Sequence, residues 1–213
     1  MSISYTRNEE RANSITHGFG VLIGLVASII FLRIAYNEYD ILGQLGIWLY
    51  AFGVLSSYLA STLYHASRQG STHRHILRKF DHSAIYWHIA GSYSPITLIG
   101  MHENMLWGWA LFIIVWGCAL VGSFMSFRGL KEHSNLETVC FVGMGLVVLL
   151  AFKPVLNAIG WKSMGWIIAE GVSFIIGALF YSMNKRRFMH TVFHGFVLGG
   201  SLCHILAIWY MLQ

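Results

Sequence analysis

Apolar runs long enough to cross a hydrocarbon layer recur along the whole of this chain, separated by short polar breaks. As a helix rising 1.5 Å per residue, a run of roughly 18–25 residues covers a layer of about 30 Å. Backbone in lipid must satisfy its own hydrogen bonds, which leaves helices and closed barrels as the spanning structures. Barrel strands alternate in segments of about 10 residues, and the sequence shows no such alternation. Helical spans are therefore predicted over about 16–36, 41–65, 82–101, 105–127, 137–155, 163–183 and 190–211. A composition that is 56% hydrophobic and 11% charged has too little polar sequence to cover a soluble globule of this size. The expected fold is an all-α integral membrane protein, a seven-transmembrane helix bundle forming a single domain over 1–213.

Basic residues in short loops are retained on the cytoplasmic side, and here they sort unevenly. With the N-terminus cytoplasmic and the C-terminus outside, Arg7, Arg11, Arg68, Arg74, Arg78, Lys79, Arg128, Lys131, Lys185, Arg186 and Arg187 lie inside. Only Arg33, Lys153 and Lys162 lie outside, and dropping any one span would spoil the separation. The fifth span is the least regular, because Lys153 and Pro154 intrude near its end. The first twenty residues carry four charges and no convincing small-residue cleavage site, so no removable signal peptide is expected. Cys118, Cys140 and Cys203 all fall inside apolar runs without CxxC spacing, which suggests neither a disulfide framework nor a thiolate metal site. The net charge of +5 is spread over interhelical loops, so membrane topology rather than nucleic acid accounts for it.

Ionisable groups inside a membrane are costly and usually face the bundle interior, which makes their positions informative. His65 ends the second span, Asp81 opens the third, and His190 and His194 open the seventh, so all four share one depth near the cytoplasmic interface. His190 and His194 are one helical turn apart on one face and can grip a single metal ion. Ser57, Ser61 and His65 form a polar stripe along the second helix, and Asp81 shares a face with His88. Three neutral imidazoles with an open fourth position make a catalytic-type metal site. Beside it Asp81 could serve as general base and Ser61 as a hydrogen-bond donor. The plainer alternative is that these histidines are amphipathic interface residues, that Asp81 pairs with Arg78 or Lys79, and that the serines allow close helix packing. Glu170 lies within the sixth span towards the outer side, where a separate ion or proton site and a helix contact beside Gly171 fit equally. His17, His88 and His204 are read first as capping or packing residues, with His17 also placed to join the site from outside.

The segments NSITHGFG, STLYH at 61–65, KFDHSAIY at the start of the third span and HTVFH at 190–194 resemble, in this order, the bacterial haemolysin III family. That family is related to the progestin and adipoQ receptors and more widely similar to alkaline ceramidases. The resemblance covers essentially the whole chain. It implies a multi-pass protein of the bacterial inner (cytoplasmic) membrane, with zinc held by His65, His190 and His194 and with Ser61 and Asp81 at the remaining polar positions. Two functions follow as expectations. One is a zinc-dependent hydrolase acting on a lipid amide or ester, with membrane lipids as partners and no nucleic acid. The other is a non-enzymatic haemolytic channel, or a sensor of membrane state, with a structural zinc.

Overall fold

Thr6 starts the first helix well ahead of its apolar run. Its hydroxyl accepts a hydrogen bond from the Glu9 amide at 3.3 Å, and the Glu9 carboxylate accepts from the Thr6 amide at 2.8 Å. This reciprocal cap satisfies amides that the first turn would otherwise leave open. In the computed structural model, which describes residues 5–128, 135–183 and 186–213, the helix α1 consequently runs Arg7–Glu38 rather than from residue 16. Lys131 and Lys185, counted above as cytoplasmic, lie outside the described residues.

Asp40 caps α2 (Ile41–Ala66) by accepting from the Gly43 amide at 2.9 Å, and Ser71 caps α3 (Thr72–Pro95) by accepting from Arg74 at 3.2 Å. A π-helical turn at Ile96–Gly100 and a 3-10 turn at His102–Asn104 carry the chain into α4 (Met105–Arg128). Then come α5 (Asn135–Gly145), a 3-10 stretch at Leu146–Ala151, α6 (Phe152–Ser182) and α7 (Met189–Met211). No strand occurs among the described residues.

Five helical stretches among the described residues are long and apolar enough to cross a membrane: Arg7–Glu38, Ile41–Ala66, His102–Arg128, Leu136–Ser182 and Met189–Met211. The 47-residue stretch Leu136–Ser182 is broken at Gly160, whose φ of 72° and ψ of 167° lie in a region open essentially to glycine alone. The irregular fifth span also has a local cause. The Tyr93 hydroxyl donates to the Gly145 carbonyl at 2.7 Å and accepts from the Val148 amide at 2.9 Å, so a side chain is inserted into the helical ladder where α5 gives way to the 3-10 stretch. α3 is not among the five, because arginines, histidines and serines dilute its apolar content.

The helices close a ring. α2 packs on α1 and α3, α3 on α4, α6 on α7, and α7 returns to α1, while α5 fills the side between α3, α4 and α6. Small residues set the closest approach. A Cβ at Gly53 of α2 would stand 2.4 Å from the Trp87 carbonyl of α3, so only glycine permits this contact. In α1, Gly20, Gly24, Ala27 and Ala35 are buried, whereas Leu22, Leu25, Val26, Ile29 and Ile30 are exposed. Small residues inside and large apolar ones outside is the pattern of helices packed in lipid, where no water drives the large side chains inward. The polar side chains that this closeness allows inside the ring include His17, Tyr58, His65, His88, His194, Ser201 and His204, all buried.

Candidate metal centre

The C-terminal end of α2 and the first turns of α7 bring His65, His190 and His194 together, with one ligand-type nitrogen from each lying within 4.8 Å of the others. The Nε2 atoms of His190 and His194 are 3.1 Å apart, as the one-turn spacing requires. His65 is 2% exposed and His194 is 1% exposed.

Two of the rings are held by their far nitrogens. His65 Nδ1 lies 2.7 Å from Glu10 Oε2, and since a carboxylate only accepts, Nδ1 carries the proton. That leaves Nε2 with its lone pair, buried and without a hydrogen-bond partner among the described residues. His194 Nδ1 likewise donates to the Asn13 carbonyl at 3.3 Å, so its Nε2 lone pair points at His190. At 3.1 Å this lone pair must meet either a proton on His190 Nε2 or a cation shared by the two rings. Nitrogen donors fixed through their opposite ring nitrogen by a carboxylate or carbonyl are the usual construction of a histidine metal ligand. The group can hold a metal ion.

α1 supplies most of this support, and the sequence reading missed it. Besides Glu10 and Asn13, the Glu9 carboxylate accepts from the Phe188 amide at 2.8 Å. Phe188 precedes α7 in the left-handed conformation, φ 61° and ψ 3°, which is uncommon for a bulky residue and needs such an anchor. The Asn13 side chain accepts from Thr191 Oγ1 at 2.6 Å, so α1 fixes the turn that carries both α7 histidines. Arg74 of α3 pairs with the second oxygen of Glu10. Glu10, Asn13 and His17 recur at the spacing of one helix face, and Thr6–Glu9 forms a capping signature. These are the signals that could have extended the first helix and found its acidic residue.

Tyr5 lies over the cluster. Its ring stacks on His190 with centroids 5.0 Å apart and meets His65 edge-on at 6.2 Å, while its carbonyl accepts from Gln69. Burial, reinforced by Tyr181, Tyr64, Glu10 and Asp81 nearby, raises its phenol well above the usual range and keeps it neutral. The sequence-derived positions otherwise fare unequally. Asp81 is half-buried among Tyr5, Tyr64 and Tyr181 and has no hydrogen bond or ion pair among the described residues. Ser61 is buried one turn from His65, and its hydroxyl makes no hydrogen bond among those residues. His17 stacks on His194 with centroids 3.6 Å apart, which places it against the cluster. His88 of α3, Glu170 of α6 and His204 of α7 sit elsewhere, deeper in the bundle.

The family model for haemolysin-III related proteins matches residues 5–205, nearly the whole chain and all of the site. The chain belongs to the haemolysin III family. It is similar to the hemolysin-3 homolog of Bacillus subtilis (strain 168), at 35% identity over 92% of this chain and 91% of the relative. It is also similar to hemolysin-3 of Bacillus cereus, at 32% identity over 91% and 87% of the two chains. The likeness extends to the monocyte to macrophage differentiation factor of Homo sapiens, at 24% identity over 94% and 83%. With its apolar helices, membership makes this a multi-pass membrane protein.

Proposed function

We propose that the protein is a zinc-binding hydrolase of lipid amide or ester bonds in a bacterial cytoplasmic membrane, crossing it seven times with the N-terminus inside. The seven crossings are the five apolar stretches, with Leu136–Ser182 counted as two about Gly160, together with α3. Forty-seven helical residues would reach about 70 Å, twice what a bilayer needs, and the 24 residues of α3 reach about 36 Å.

The observation that carries the metal assignment is the buried, unpartnered Nε2 of His65 facing the His190 and His194 pair. Nitrogens around a tetrahedral zinc with bonds of about 2.0–2.1 Å stand about 3.4 Å apart, close to the 3.1 Å between His190 and His194. Three imidazoles with no carboxylate ligand suit zinc better than magnesium or calcium. When bound, such an ion lowers the pKa of water towards about 7 and polarises a carbonyl oxygen. Asp81 would accept the proton released, Ser61 would donate to the carbonyl oxygen, and the bilayer around the helices would supply the lipid substrate.

Burial favours a second reading. The closure of Tyr5 over His190, and the near-complete burial of His65 and His194, suit a structural ion that ties α2 to α7 in a channel or membrane sensor. Metal analysis combined with lipid mass spectrometry separates the two. The hydrolase reading expects about one zinc per chain, loss of metal in His194→Ala, and retained metal with lost lipid turnover in Asp81→Asn. Metal retained without any lipid conversion supports the structural ion, and a folded wild type that binds no metal removes both.

A further inference from the structure

Glu170 and His204 form a second polar centre that the metal site does not use. His204 Nδ1 lies 2.7 Å from Glu170 Oε2, and both side chains are almost wholly buried. His204 is ten residues beyond His194, about 15 Å further along α7. A carboxylate at such depth is held at high cost, and buried acid–imidazole pairs of this kind mark proton and ion pathways. No third metal-type donor joins them, since the only three-ligand group among the described residues is the one at His65.

A short file of polar groups lies beside the pair. The Tyr58 hydroxyl donates to Ser201 Oγ at 2.7 Å, and Ser201 Oγ stands 3.4 Å from His88 Nε2. His88 is in turn an electrostatic neighbour of His204. His204 Nε2 and the Tyr50 hydroxyl are buried without hydrogen-bond partners among the described residues, although their rings stack at 5.8 Å. Unpaired polar atoms in a protein core are expensive, so their retention beside an acid calls for a use.

We propose that Glu170 and His204 are a proton-binding site inside the membrane, loaded through His204 Nε2 from the file of His88, Ser201 and Tyr58. In loading, a proton supplied by water forms an N–H bond at Nε2 while the Nδ1 proton passes to Glu170 Oε2. The imidazole exchanges one tautomer for the other, and the pair goes from one negative charge to none. Among the described residues, Tyr50 and Tyr58 of α2, His88 and Tyr93 of α3 and Cys203 of α7 are the titratable groups that interact with it, and none places a fixed positive charge there. The inference rests on this geometry and is independent of the hydrolase reading.

Infrared spectroscopy of the whole protein in lipid nanodiscs tests it. On acidification the wild type gains a protonated-carboxyl band that E170Q lacks, with uptake of one proton per chain, and H204Q displaces the midpoint. S201A slows loading after a pH jump and leaves the midpoint in place. A Glu170 band that stays constant across the pH range marks a static structural pair and overturns the proposal, and an unchanged loading rate in S201A overturns the route. Should E170Q fail to fold, H204Q alone decides, an unmoved midpoint counting against the site.

Discussion

His65 with Glu10 and His204 with Glu170 are built alike and surrounded differently. In both, an imidazole Nδ1 lies 2.7 Å from a carboxylate oxygen and Nε2 is buried without a partner. At His65 the open nitrogen lies beside two more imidazoles from a single turn of α7, whereas at His204 the imidazole stacks on Tyr50 and has His88 as an electrostatic neighbour. The dyad prepares a nitrogen lone pair in each place. On the proposed readings, its neighbours decide whether that lone pair would meet a cation or a proton.

The sharpest way to break this comparison is to count metal in His194→Ala and His204→Gln. The first variant should lose its ion and the second should keep it, as read by elemental analysis, and loss from both would make the two centres one. Chelation gives the next largest effect. An ion present at 100 times its dissociation constant stabilises the fold by about 2.7 kcal/mol, so a strong chelator should lower the melting temperature of the wild type and leave His194→Ala unmoved. Glu10→Gln keeps the shape and removes the charge behind His65. Loss of such a supporting partner typically weakens metal binding by about 10–100-fold, measurable by competition with a chromogenic chelator, and an unchanged affinity would reduce Glu10 to a helix contact. The smallest effect belongs to Tyr58→Phe. It removes the hydrogen bond to Ser201 at a cost of about 0.5–1.5 kcal/mol, with metal content the same in both proteins.

How far the sequence could be read depended on whether a feature is local. The second and last spans were expected at 41–65 and 190–211 and run Ile41–Ala66 and Met189–Met211, because apolar length alone sets them. The pairing of His190 with His194 was legible for the same reason, being one turn of one helix. Glu10 was not, since a charged residue ahead of the first apolar run reads as interface until the Thr6 cap extends α1 through it. The Glu170–His204 contact joins residues 34 apart on neighbouring helices, and no single-helix periodicity encodes it. Asp81 was grouped with the histidines by depth, and the structure sets it among the tyrosines that flank them, a distinction of azimuth that depth cannot make.

The hold of Glu9 on Phe188, and of Asn13 on Thr191, joins residues 179 and 178 positions apart. A ribosome releases the first of these partners long before it makes the second. The three-histidine centre therefore cannot exist on a nascent or prematurely terminated chain. It comes into being only when α7 packs beside α1, so its assembly reports that α7 has been made and has met the first helix.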